Sequence, residues 1–165
     1  MVMKYEFILW LVHVLKLVPG KVGVFVRRKF LPFNSCNTSQ VWDMVHIDSP
    51  RSLTIGSHSS INRGCVLNCG GGITIGNNVL IGPNVLIYSQ NHNYKNKEIP
   101  IREQGYDKAP VIIEDDSWIA ASCIILPGVK IAQGSVIAAG SVVTKNTTPY
   151  SIYAGVPAKK IGVRE

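Results

Sequence analysis

The chain has 165 residues, enough for one well-cored domain, and 46% apolar with only 16% charged residues excludes a disordered polypeptide. A formal charge of +7 invites nucleic acid, but six of the 17 basic residues (Lys4, Lys16, Lys21, Arg27, Arg28, Lys29) crowd into the first 30 positions. No helix-turn-helix or RNA-binding signature follows them, so no nucleic-acid partner is expected.

In chain order, the first element is Phe7 to Val18, "FILWLVHVLKLV". Its 12 residues are too few to span a bilayer and include His13 and Lys16. No A-x-A cleavage site follows, and Glu6 stands where a signal peptide wants positive charge. The segment reads as a capping helix that Pro19-Gly20 ends. Residues 1–40 are expected to form an N-terminal helical, basic cap, and residues 1–30 also suit peripheral contact with an anionic membrane surface. Cys36, Cys65, Cys69 and Cys123 have no disulfide-framework or zinc-knuckle spacing. They read as small buried hydrophobes in a reducing compartment, which makes the cytoplasm the expected location.

From about Val41 the chain repeats every six residues. Aliphatics fall at Val41, Ile47, Ile55, Ile61, Leu67, Ile75, Ile81 and Ile87, and resume at Ile113, Ile119, Ile125, Ile131, Ile137 and Val143. Two steps are of eight residues, and one gap, 87 to 113, is of 26. Neither a 3.6-residue helix nor simple alternation produces this beat. Four residues after each aliphatic comes a small or β-branched residue: Ser59, Cys65, Gly71, Val79, Val85, Ser117, Cys123, Val129, Ser135 or Ser141. The position before it holds Gly, Asn or Asp in eight of ten cases, residues that tolerate positive φ. Each hexad is therefore a short strand and a tight corner, and three hexads close one triangular coil of a parallel β-helix over residues 41–165.

The motifs "IGNNVLIGPNVLI" and "ILPGVKIAQGSVIAAGSVVTK" resemble the hexapeptide-repeat acyltransferases. Together with "YSQNHNY" and "YAGVPAKKI", they are most similar to the branch of maltose, galactoside and Nod-factor O-acetyltransferases. The resemblance implies an all-β fold, a left-handed parallel β-helix, with a short N-terminal helical segment and one extruded loop (residues 88–110) before a C-terminal tail (149–165). It implies acetyl-CoA as co-substrate, no metal, and a homotrimer with active sites between subunits.

The loop is where chemistry is expected, since long excursions on rigid scaffolds often carry function. A hydroxyl attacks a thioester only once its proton has an acceptor, and neutral imidazole is the usual one near pH 7. The histidine of the matching family motif is the general base, which points to His92. Asn62, 30 residues earlier, matches a family asparagine that binds the acceptor or the developing oxyanion. Trp118, Ala121, Ala139, Thr144 and Lys145 match positions lining the coenzyme groove, and Lys159 and Lys160 match tail cations near its 3′-phosphate. There are two departures. Some relatives carry serine where this chain has Ala121, which leaves a backbone N–H or Ser122 to assist an oxyanion. Sugar-acetylating relatives carry an acid where this chain has Gly70.

The expected reaction is acetyl-CoA-dependent O-acetylation of a saccharide, on a surface polysaccharide or lipid-linked glycan precursor. Four alternatives stand beside it. One is acetylation of a streptogramin- or chloramphenicol-type antibiotic, which wants a more apolar loop than "NYKNKEIPIREQGYDK"; serine acetylation would want a long helical N-terminal domain. Another is a γ-carbonic-anhydrase-like zinc site, for which His13, His46, His58 and His92 offer no second loop histidine. The last is a non-catalytic scaffold that binds no coenzyme A.

Overall fold

The structure, a computed structural model, describes Trp10 and residues 13–165. From residue 34 the chain winds a left-handed parallel β-helix with three faces. Face 1 stacks Asn34–Ser35, Leu53–Ile55, Ile73–Ile75, Val111–Ile113 and Lys130–Ile131. Face 2 stacks Gln40–Val41, Ser60–Ile61, Leu80–Ile81, Trp118–Ile119, Val136–Ile137 and Ser151–Gly155, with Ala158–Val163 added antiparallel at the end. Face 3 stacks His46–Asp48, Val66–Asn68, Leu86–Tyr88, Ile124–Ile125 and Val142–Val143.

The six-residue beat is the interior of this helix. Ile55, Ile75, Ile113 and Ile131 pair in register up face 1, and Ile61, Ile81, Ile119 and Ile137 do so up face 2. Every beat residue from Val41 to Val143 is buried, none more than 8% exposed. Isoleucine suits the position because rungs repeat at about 4.8 Å, so each branched side chain packs on its counterparts above and below. The corner residues fill the vertices, and their polar atoms are satisfied there. Ser59 Oγ, for example, donates to the Gly76 carbonyl at 2.6 Å and accepts from Val79 N–H at 3.0 Å.

Nine of the ten expected corner positions have positive φ, including His58 (57°) and Ser122 (58°), which are neither Gly, Asn nor Asp. Gly70 is the exception. Its corner has eight residues and turns at Gly72 instead, with φ 94°. Exposed Asn78 (φ 56°) tests the rule without disturbing packing. Asn78→Val is expected to cost ~1–2 kcal/mol in denaturant unfolding because a β-branched residue strains the left-handed region. Asn78→Gly should cost less than about 1 kcal/mol. Equal costs would show that the corner does not depend on φ.

Both eight-residue steps and the long gap lie on the edge between faces 3 and 1, as a 3₁₀ turn at Pro50–Ser52, the Gly70–Gly72 corner and the excursion above them. All the surplus length is thus stacked along one edge. The excursion is not wholly irregular. Gln90–His92 and Tyr106–Lys108 form an antiparallel ribbon, which the polar sequence did not announce.

At the N-terminus, residues 13–17 are helical, whereas the earlier part of Phe7–Val18 lies outside the described residues, except Trp10. Pro19-Gly20 ends this first helical piece, as expected. It separates this piece from helix α1 (Gly20–Phe30), with Pro19 as N-cap and Gly20 at φ 66°. Proline is tolerated at a helix start because the first N–H groups have no intrahelical partner anyway. Arg27, one of the basic residues of this N-terminal segment, is fully buried. Its Nε donates to Val41 O (2.9 Å), and Nη1 donates to Leu15 O (2.9 Å) and Val18 O (2.7 Å), fastening both helical pieces to the first coil. The first rung, Asn34–Ser35, precedes the residue at which the aliphatic beat becomes visible and pairs with Thr54 and Ile55.

Cys65, Cys69 and Cys123 are buried as expected, but Cys36 is exposed on the first corner. Burial pushes the Cys65 thiol up to about 11 and the Cys69 thiol to about 12, and raises Cys123 as well. These thiols stay protonated at neutral pH and are poor nucleophiles. Iodoacetamide at pH 8 should therefore label Cys36 in the native protein and all four cysteines after denaturation, read by intact mass. Native labelling of two or more thiols would contradict the packing.

Candidate active site

The coil arithmetic distributes the candidate residues over two edges. His92 leaves face 3 after Leu86–Tyr88, so it lies on the 3–1 edge, and Thr144 and Lys145 follow Val142–Val143 on that same edge two coils later. Asn62, Ala121 and Ala139 follow face 2 strands and lie on the 2–3 edge, with Trp118 beside them on face 2. Lys159 and Lys160 sit on the terminal antiparallel strand, opposite Ala154 and Tyr153 on face 2. Face 3 separates the two groups, so one chain does not bring His92 and Asn62 together.

His92 is exposed on the ribbon, opposite Tyr106. The two rings lie 4.3 Å apart, centroid to centroid, tilted by 38°. This contact fixes the plane of the imidazole while leaving its edge open. Neither ring nitrogen has a hydrogen-bond partner among the described residues. Beneath the ribbon lies an open pocket of about 510 Å³, lined by Asn91, His92, Asn93, Tyr94, Gln104 and Asp107 among others. Gln104 holds the loop in shape: its Nε2 donates to Asn96 O and Ile99 O, both at 2.7 Å, and its Oε1 accepts from Asn96 N–H at 3.1 Å. Asn93 Nδ2 closes the base of the loop on Gln104 O at 3.0 Å. No sequence signal marked Gln104, because one glutamine in a polar run looks like any other.

On the 2–3 edge, exposed Asn62 accepts from Arg63 N–H through Oδ1 at 2.8 Å, which leaves its Nδ2 without a partner among the described residues. Arg63 pairs through Nε with Asp43 at 3.2 Å and lies over the Trp42 ring. Two coils on, the N–H of Ser122 is committed to Pro83 O at 2.9 Å. The N–H of Ala121 has no partner among the described residues. Gly82 keeps the space over that amide open, since a Cβ there would stand 2.8 Å from Ala121 N. Of the two donors left open by the missing serine, the free one is thus Ala121. Ala139 stacks above it, with Gly140 N–H on Ala121 O at 2.9 Å, so this edge carries a row of small residues. Trp118 and Leu80, paired in register, give face 2 an exposed apolar stripe beside it. Thr144, Lys145, Lys159 and Lys160 are all exposed.

Gly70, where the family resemblance implies an acid in sugar-acetylating relatives, is half-buried under Gln90. A Cβ at Gly70 would stand 1.9 Å from Gln90 Oε1, so the glutamine fills the notch an acidic side chain would need.

Residues 110–145 match the family model described as bacterial transferase hexapeptide (six repeats). The chain belongs to the hexapeptide-repeat family. A Staphylococcus aureus (strain Mu50) relative, provisionally named an acetyltransferase, is 44% identical over 113 residues, covering 67% of this chain and 54% of its own length. The hexapeptide chain thus spans about half the length of the curated relatives it matches. A hexapeptide-repeat acetyltransferase from Vibrio cholerae, solved with acetyl coenzyme A, superposes with a TM-score of 0.81 at 29% identity over 92% of this chain and 81% of that one. A maltose O-acetyltransferase from Clostridium difficile 630 superposes with a TM-score of 0.83 at 26% identity over 99% of this chain and 88% of that one.

Proposed function

We propose that the protein is an acetyl-CoA-dependent O-acetyltransferase that modifies a saccharide hydroxyl, on a surface polysaccharide or lipid-linked glycan precursor. The observation that carries this reading is an exposed, ring-stacked His92 at a pocket on one edge, together with a row of small residues bearing a free backbone amide on another. The acetyl-coenzyme-A-bound V. cholerae relative and the maltose O-acetyltransferase neighbour support it.

In this reading the His92 imidazole accepts the acceptor's O–H proton as the oxygen attacks the thioester carbonyl. Asn62 Nδ2–H or Ala121 N–H donates to the oxygen that gains charge. The C–S bond then breaks, the imidazolium returns its proton to the thiolate, and acetyl ester and free coenzyme A thiol leave. Transfer is direct in this reading: the buried thiols are neutral, and exposed Cys36 lies on the edge between faces 1 and 2, which carries neither His92 nor Asn62. Trp118, Ala121 and Ala139 line the pantetheine path, and Thr144, Lys145, Lys159 and Lys160 receive the phosphates. The two edges complement one another across the subunit boundaries of a homotrimer, each site taking His92 from one subunit and Asn62 from its neighbour. The protein works in the cytoplasm, with its N-terminal region in peripheral contact with the membrane.

The test is thiol release from acetyl-CoA across a panel of neutral and charged glycans, with antibiotics as a separate arm. Release on glycans supports the reading. Release confined to the antibiotics would replace it, and an unchanged melting temperature with acetyl-CoA would favour a non-catalytic scaffold.

A further inference from the structure

The third edge of the prism, between faces 1 and 2, carries none of the proposed catalytic residues, yet it holds a distinct cleft. Helix α1 packs against the start of face 2, and between the helix and the first corner runs a channel in two compartments. One, of about 430 Å³, is lined by Lys21, Phe25, Arg28, Thr38, Ser39 and His58 among others. The second, of about 400 Å³, continues past Phe25 and Arg28 to Lys29, Asn34 and Ser35. Arg28 reaches across the channel to donate to Asn37 O, which stiffens the wall between the compartments. No acidic residue lines either compartment, and the sequence has none between Phe7 and Trp42. Three cations over hydroxyl and amide groups make a receptor for an anion.

The surroundings of the cleft say which anion. Val22, Phe25 and Lys29 fall at i, i+3 and i+7 on the outward stripe of α1, while Gly23, Val24 and Arg27 face inward. Trp10, Val14, Leu17, Val22, Phe25 and Phe30 are all more than half exposed, at 53–70%. The Phe25 ring carries Arg28 and Lys29, each 5.9 Å from its centroid. A small soluble anion has no use for these flanking hydrophobes, whereas a helix face mixing aromatics with cations is the pattern that lies in a bilayer interface. Among the described residues no helix is long and apolar enough to cross a membrane, so the contact is superficial.

We propose that this cleft binds the phosphate headgroup of an anionic glycerophospholipid, with the flanking apolar residues seated in the lipid interface. The inference rests on the peripheral-membrane part of the proposed function and gives it a defined site. It also orients the molecule, since the remaining two edges, with His92 and Asn62, face away from the bilayer or along it.

The test is co-flotation of the full chain with vesicles of phosphatidylcholine alone and of phosphatidylcholine with phosphatidylglycerol. Binding only to the anionic vesicles is expected. Removing both charges with Lys21→Gln and Lys29→Gln should weaken it by about fivefold for each, and Phe25→Ser should weaken it independently. The control removes two exposed charges elsewhere, with Arg51→Gln and Lys97→Gln, and should bind as the parent does. If the parent ignores anionic vesicles, the membrane reading falls and the cleft with it. Should the parent bind while the Lys21 and Lys29 pair and the control behave alike, the cleft is overturned and membrane contact stands. If Phe25→Ser instead abolishes a concentration-dependent self-association seen by sedimentation, the face is a contact between copies and the lipid site is overturned. Flotation is read without turnover, so its failure is separate from failure of the transferase reading. Melting temperature checks that each variant is folded.

Discussion

His92→Ala is expected to lower acetyl transfer by about 10²–10⁴-fold, the range for losing a positioned general base, while acetyl-CoA still binds. The reasons are structural. The side chain is exposed on a ribbon whose strands are joined through backbone pairing, and the loop is held by Gln104, so losing the imidazole removes its stack on Tyr106 but leaves the loop's own fastenings in place. The proposed coenzyme residues are on other elements, on face 2 and after Val142–Val143. The measurement is steady-state thiol release with the best acceptor, alongside a thermal-shift titration with acetyl-CoA. A base that acts only on the reacting hydroxyl predicts a fall in kcat with the coenzyme titration unmoved. Undiminished turnover would remove His92 from the mechanism. Loss of coenzyme binding would make it a ligand of the coenzyme instead. Tyr106→Leu is the finer probe: it keeps an apolar contact against His92 but loses the ring stack, and is expected to lower kcat by less than His92→Ala.

Much of this fold was legible because one strong constraint repeats. A triangular coil shows one inward aliphatic per hexad, and fourteen such positions in register leave little room for another architecture. The edge assignments were equally recoverable, since counting hexads from the two eight-residue steps puts Asn62, Ala121 and Ala139 on one vertex and His92 and Thr144 on another. Local conformation was readable where chemistry demands it, at Asn78, Asn84 and Asp116, each with positive φ. The ribbon was not. Gln90–His92 and Tyr106–Lys108 are polar on both sides, so no hydrophobic alternation betrays them. Gly70 misled because its corner has eight residues and the left-handed residue moves to Gly72. Whether Ala121 or Ser122 offers the free amide also had no sequence signal, because it depends on which N–H meets Pro83 O one coil below.

Arg27 is the residue that the sequence hid most completely. In "FVRRKF" it is one of three adjacent cations of a basic segment, and only contacts 9 to 14 residues away reveal it as a buried fastener. Arg27→Met keeps a long flexible apolar stem and removes the guanidinium, so it leaves the Leu15, Val18 and Val41 carbonyls without this donor. Each unsatisfied buried carbonyl costs about 1–3 kcal/mol. The opposing term is desolvation: burial pushes the guanidinium pKa down, with the Asp43 carboxylate opposing it, and Nη2 is buried without a partner. Apolar replacement relieves that part. The net cost is therefore expected at about 2–4 kcal/mol. Where it appears matters as much as its size. In a solenoid each coil is stabilised chiefly by its neighbours, so the loss should be confined to the cap and the first coil. Hydrogen exchange is the deciding measurement: protection should fall across Gly20–Phe30 and Gln40–Val41 and persist across Val111–Ile113 and Val136–Ile137. Uniform loss would mean that the helix and coils unfold as one unit. A change below about 1 kcal/mol would mean that desolvation of the buried guanidinium offsets its three hydrogen bonds.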